Sequence, residues 1–161
     1  MALNINLAKP DELPLVMEIL GEAAAWLMEI GYDQWPSPPN VHWWRRMAAA
    51  IERQEVYIVG KAKESHGIVR LTWFDDYWPD DDLDGYVHSL AIRPKMRGQA
   101  VGGQILDWAV EQVRQRGKQF LRLDCLASNG RLCRYYEEQG FSYRGQLTDR
   151  DFIAALYEKQ L

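Results

Sequence analysis

The sequence predicts an α/β fold of the α+β kind: one domain, 1–161, with a mixed, mostly antiparallel sheet of six to seven strands flanked by about four helices. Three observations predict it. A chain of 161 residues is one domain's worth of sequence. Its apolar period switches repeatedly between two and 3.6. The resulting order is strand, two helices, three strands, helix, strand, helix and one or two strands, which fits helices packed on a mixed sheet.

Asn4 to Ala8 alternates as the first strand. Asp11 introduces a helix whose Leu13, Val16, Met17, Leu20, Ala24 and Leu27 share a stripe, with Pro14 tolerated in the first turn and Gly31 as the stop. Gln34 to Pro39 is a loop, and His42 to Arg53 a second helix. Val56–Val59 and Ile68–Phe74 flank a polar turn and read as an antiparallel hairpin. An Asp-rich loop precedes a strand from Tyr86 to Ile92. Ile105, Leu106, Ala109, Val110 and Val113 give Gln104–Arg116 one apolar face, and Gly117 ends that helix. Phe120–Leu126 is a strand with Leu121, Leu123 and Cys125 on one side, Asn129–Gln139 a helix, and Phe152–Tyr157 a closing strand.

Composition excludes several classes. With 47% apolar and 26% charged residues the chain is globular, not disordered. Its longest apolar run, Ala23 to Met28, is far too short to span a membrane, and the start carries no basic and then apolar leader. Two cysteines without CxxC spacing and three scattered histidines (His42, His66, His88) offer no zinc pattern. The expectation is a cytoplasmic, metal-free protein. The net charge of −4 hides an asymmetry: residues 93–134 hold nine Lys and Arg against three acidic residues, whereas the remainder is strongly acidic. A small positive zone in a negative protein suits a compact phosphorylated ligand better than nucleic acid.

The strongest local signal is the strand, glycine-rich loop and helix from Tyr86 to Gly117. Glycines at a helix start let backbone N–H groups converge on an anion, aided by the helix dipole. No Gly-Lys-Ser/Thr follows, and GxGxxG is absent, so this is neither a Walker loop nor a dinucleotide fingerprint.

Arg97-Gly98-Gln99-Ala100-Val101-Gly102, with Gly103 next, resembles the Arg/Gln-x-x-Gly-x-Gly/Ala pyrophosphate loop of the GNAT superfamily of acyl-CoA-dependent N-acetyltransferases. Leu90-Ala91-Ile92 is similar to that family's cofactor-side strand, Asn129 to its pantetheine-contacting asparagine, and Tyr136 with Gly140-Phe141 to its Tyr-x-x-x-Gly-Phe element. The resemblance is specific from Tyr86 to Phe141 and loose elsewhere. One departure is Ala100, where the family has its first loop glycine; a methyl is accommodated there provided that φ stays negative.

The resemblance implies a GNAT-like fold and direct transfer of an acetyl group from acetyl-CoA, as cosubstrate, to a primary amine. It implies that backbone N–H groups of Leu90–Ile92 meet the thioester oxygen, that Arg97 to Gly103 hold the pyrophosphate, and that Tyr136, in preference to Tyr135, protonates the departing thiolate. The base stays open between two residues. His88 lies on the strand that resembles the family's cofactor-side strand, where alternation puts Tyr86, His88 and Leu90 on one side unless a bulge intervenes, and Asp124 shares the face opposite Leu121, Leu123 and Cys125.

Six carboxylates in ten positions (Asp75, Asp76, Asp80, Asp81, Asp82, Asp84), interleaved with Tyr77 and Trp78, would draw a cationic amine. Trp35, Tyr77, Trp78 and Tyr86 are the candidate acceptor-binding residues, with Trp43 and Trp44 as further walls. The alternatives are a noncatalytic acyl-CoA or ligand sensor and a transferase acting on protein or peptide amines. The family resemblance also implies a homodimer.

Overall fold

The computed structural model describes residues 2–161, the side chain of Ala62 excepted. Seven strands, β1 (Ile5–Leu7), β2 (Val56–Val59), β3 (Gly67–Thr72), β4 (Asp84–Ile92), β5 (Phe120–Leu126), β6 (Ser142–Asp149) and β7 (Phe152–Gln160), form one sheet in the order β1-β2-β3-β4-β5-β7-β6. Pairings β1/β2, β2/β3, β5/β7 and β6/β7 are antiparallel, and β4/β5 is parallel. Four helices complete it: α1 (Leu13–Glu29), α2 (Val41–Glu52), α3 (Val101–Gln115) and α4 (Gly130–Glu138). The expected fold class holds. Several boundaries move: β3 stops at Thr72 and leaves Phe74 exposed, β4 begins at Asp84, α3 begins three residues early, and β7 runs on to Gln160, while Ser142–Asp149 supplies the optional strand. Among the described residues no helix is long and apolar enough to cross a membrane.

The chain divides into two compact units. The first comprises the residues up to Arg70 together with Ser89–Ile105. Its core is the stripe of α1 (Val16, Met17, Ile19, Leu20, Ala23) packed with Met47, Ala50 and Ile51 of α2 and with Val56, Ile58 and Ile68 of the hairpin. Each Val, Leu, Ile or Met side chain among these contributes roughly 1.5–3 kcal/mol on burial. Asn40 caps α2 by accepting the Trp43 N–H at 3.1 Å. Gly67 is obligatory: a Cβ there would lie 2.4 Å from the Ala91 carbonyl oxygen.

The second unit comprises Leu71–His88 and Leu106–Leu161. Leu106, Ala109, Val110 and Val113 of α3, Leu121, Leu123 and Cys125 of β5, and Ala154, Ala155 and Tyr157 of β7 are among its buried apolar residues. Gly117, at φ +69°, closes α3 as expected. Arg122 is buried with Asp84, which it bonds through Nη1, while its Nε donates to Glu158 at 2.7 Å.

Candidate functional site

The loop before α3 is built on two left-handed residues, Gly98 at φ +75° and Ala100 at φ +58°. Helix geometry then starts at Val101, and the first amide bonded back is that of Gln104, donating to the Ala100 carbonyl at 3.2 Å. The amides of Val101, Gly102 and Gly103 are therefore first-turn groups that the helix itself leaves for a ligand, at its positive end. This corrects two expectations. Gly102 and Gly103 belong to the helix and not to the loop, and Ala100 does not keep a negative φ. The backbone demands the glycine conformation that the family supplies, and alanine adopts it at a cost of about 1–2 kcal/mol.

Four of the nine cations of the basic stretch are committed. Arg97 lays its guanidinium 3.0 Å from the centroid of the Trp26 ring on α1. Arg93 is buried, with Nη1 2.8 Å from Glu18 and bonded to Glu22, and Nε donating to the Ser65 carbonyl at 3.1 Å. Lys118 pairs with Asp82 at 2.8 Å, and Arg122 with Asp84. The positive zone seen in sequence is therefore not one open patch. Gln99 donates to the Lys95 carbonyl at 3.2 Å, bracing the turn that carries the loop. Of the strand that resembles the family's cofactor-side strand, Ala91 is buried and Leu90 and Ile92 are half-buried.

The second centre follows from strand register. Parallel pairing of β4 with β5 runs from Asp84↔Phe120 to Val87↔Leu123. His88 and Asp124 are the next residues, so the register itself delivers them together. Asp75, from the segment after β3, completes the group: its Oδ2 lies 2.9 Å from His88 Nε2, and its Oδ1 accepts the Tyr77 N–H at 2.7 Å. One donor atom from each of Asp75, His88 and Asp124 lies within 4.8 Å of the others, all three half-buried. An imidazole between two carboxylates suits a cation. Ser89, at φ +48°, ends the alternation of β4, so the side shared by Tyr86 and His88 does not extend to Leu90.

Tyr136 is buried on α4, its ring 5.9 Å from that of Phe141 and 6.2 Å from that of Tyr157. Burial, with Cys125 beside it, pushes its phenol well above the ordinary tyrosine range, so it keeps its proton. Tyr135 is only half-buried, and its ring meets that of Tyr136 edge-on at 5.5 Å. Asn129 caps α4: its Oδ1 accepts the Leu132 N–H at 3.1 Å, leaving the amide NH2 as the end with donors to offer a ligand.

The expected acceptor residues divide. Tyr77 donates its hydroxyl to Asp149 at 2.8 Å, and burial together with that carboxylate raises its pKa. Tyr86 is buried, bonded to Asp84 at 3.2 Å and pushed up to about 12 by burial and by Asp81 and Asp75. Trp78 has the Arg122 guanidinium 4.7 Å from its ring centroid, and Trp35 packs on Trp43 at 6.4 Å beside the core. The acidic loop is not a uniform lure. Asp81, Asp82 and Asp84 are spent on Arg122 and Lys118, and only Asp75 faces His88. Nothing in the local sequence distinguishes Asp75 from its neighbours, and sequence reasoning did not single it out.

The Acetyltransferase (GNAT) family model matches residues 17–141. The chain is 28% identical over 142 residues, 84% of its own length and 79% of the other's, to the uncharacterized N-acetyltransferase YesJ of Bacillus subtilis strain 168. Its fold is similar to that of a GNAT-family acetyltransferase from Streptococcus agalactiae 2603 (TM-score 0.82, 19% identity, 99% of this chain and 95% of that one). It is also similar to yncA, a putative acetyltransferase from Salmonella typhimurium solved with its cofactor acetyl-CoA (TM-score 0.72, 15% identity, 100% and 95%).

Proposed function

Since the chain belongs to the GNAT acetyltransferase family, whose members use acetyl-CoA as acyl donor, we propose that it transfers the acetyl group directly to the primary amine of a small acceptor arriving as an ammonium. The observation that carries this reading is the convergence of His88, Asp75 and Asp124. An ammonium is not a nucleophile until it loses a proton, and this centre offers counter-charge and a proton acceptor together.

In this reading the first-turn amides of α3 and the loop from Arg97 to Gly103 hold the pyrophosphate of acetyl-CoA. Backbone N–H groups of Leu90–Ile92 polarise the thioester carbonyl, and Asn129 offers its amide NH2 to the pantetheine arm. His88 takes the ammonium proton, with Asp124 as the competing base. The amine nitrogen then attacks the carbonyl carbon, the C–S bond breaks, and Tyr136, which burial keeps protonated, gives its proton to the thiolate. Trp35, Tyr77 and Trp78 serve as acceptor walls. We further propose a single cytoplasmic domain that works as a homodimer without a metal.

Calorimetric titration with acetyl-CoA, followed by thiol release across a panel of amines that includes polyamines and aminoglycosides, tests the reading. Binding with acceptor-dependent release is expected. Binding without release from any amine would instead support an acyl-CoA sensor, and release only with peptides would support a protein N-acetyltransferase.

A further inference from the structure

We infer that Cys125 and Cys133 are a redox couple: a hydroperoxide closes them into a disulfide that ties α4 to β5 and slows acetyl transfer, and a dithiol reopens it. The disulfide is independent of the proposed reaction, and only its effect on transfer rests on that reading.

Both thiols are free, one near the end of β5 and the other in α4, eight residues apart in sequence. The short turn between these elements folds α4 back on the strand and brings Sγ to Sγ at 3.7 Å, the contact distance of two sulfur atoms. Their exposures order the chemistry. Cys133 is half-buried and meets a small oxidant first, whereas Cys125 is only 2% exposed. Burial, with Cys133 beside it, also pushes the Cys125 thiol up, which suits it to resolve an oxidised partner and not to be the first nucleophile. The steps balance. Cys133–SH takes an oxygen atom from ROOH, giving Cys133–SOH and ROH. The Cys125 sulfur then attacks the Cys133 sulfur, the S–S bond forms as S–O breaks, and the hydroxide leaves as water with the Cys125 proton. Each cysteine sulfur gives up one electron, and the peroxide O–O bond takes both. The consequence for transfer lies in the position of the pair. Tyr136 follows Cys133 by three residues on the same face of α4 and has Cys125 beside it. Cys133 in turn meets Tyr157, whose ring is 6.2 Å from that of Tyr136. Joining two sulfurs that are now only in contact draws this face of α4 toward β5, and a misplacement of about 1 Å costs about 10²-fold in rate.

The test uses the full chain, reduced, freed of reductant and treated with hydrogen peroxide. Proteolysis and mass spectrometry are expected to show the peptides carrying Cys125 and Cys133 joined and two hydrogens lighter than their sum, and dithiothreitol to separate them. Hydrogen exchange of the α4 amides should slow in the oxidised form, because the bond restrains a helix of only nine residues. Thiol release from acetyl-CoA with an accepted amine should fall about tenfold or more and return on reduction. Cys133→Ser should keep the rate of the reduced protein and ignore peroxide, and Cys125→Ala should stop at a Cys133 sulfenic acid that dimedone captures. Two thiols still open to alkylation after peroxide, oxygen added to Cys133 without a joined peptide, or a joined pair that leaves either α4 exchange or turnover unchanged overturns the inference. A joined pair with slowed α4 exchange, beside no thiol release even from the reduced protein, would instead overturn the transferase reading.

Discussion

His88 and Asp124 each stand one residue beyond the last pair of a parallel register, Val87↔Leu123, and so reach the same centre from strands 36 residues apart in sequence. Pairing geometry, and no local motif, makes them neighbours.

Tyr136→Phe keeps the ring that packs on Phe141 and Tyr157 and removes only the hydroxyl. Turnover should fall about 10²-fold or more, the scale of a lost general acid, with little change in acetyl-CoA affinity. Steady-state thiol release beside calorimetry reads both, and unchanged turnover removes Tyr136 from the mechanism.

Ala100→Gly relieves a left-handed alanine at φ +58°. The gain of about 1–2 kcal/mol is offset in part by the greater freedom of glycine in the unfolded chain. A net increase of about 0.5–1 kcal/mol should appear as a higher urea midpoint at constant m-value. A lower midpoint would mean that Ala100 does not hold this conformation.

Gly102→Val puts a β-branched side chain into the buried first turn of α3, among the amides assigned to phosphate. Acetyl-CoA affinity should drop at least tenfold in calorimetry. Retained affinity would place the phosphate elsewhere.

Arg122→Ala leaves Asp84, which is 1% exposed, without its counter-ion. Stranding a buried charge costs about 3–5 kcal/mol. Chemical denaturation of the variant should show a loss of that size, and a change below 1 kcal/mol would mean that water reaches the carboxylate.

Glu55 works in the other unit. Burial alone would raise its pKa, but hydrogen bonds from Arg53 at 2.8 Å and Arg70 at 2.9 Å overcome this and hold it below the usual carboxylate value. A carboxylate depressed by folding stabilises above its unfolded pKa of about 4.3, and that stabilisation is lost as pH falls through the lower folded value. Glu55→Gln should therefore cost about 1–2 kcal/mol at neutral pH and progressively less in acid, read from urea unfolding at both. A penalty that grows in acid would contradict the sign.

What the sequence determined by itself was whatever depends on neighbours along the chain. The stripe of α1, the alternation of Leu121, Leu123 and Cys125, the Gly117 stop and the run from Arg97 to Gly103 are local patterns, and period and turn chemistry write them directly. The helix start at Val101 was not among them, because Gly102 and Gly103 read as loop until the structure put them in the first turn. Tertiary structure decided the rest, because charge pairing is set by which strands lie side by side. It spent Arg93 on Glu18 and Glu22 and Arg122 on the buried Asp84, took three aspartates of the acidic loop for ion pairs and one to grip a histidine, and turned Arg97 onto Trp26. It also ended the alternation of β4 at Ser89 and forced Ala100 into a glycine's conformation. Asp75 could not be singled out beforehand for that reason: its partner is 13 residues away along the chain and 2.9 Å away in space.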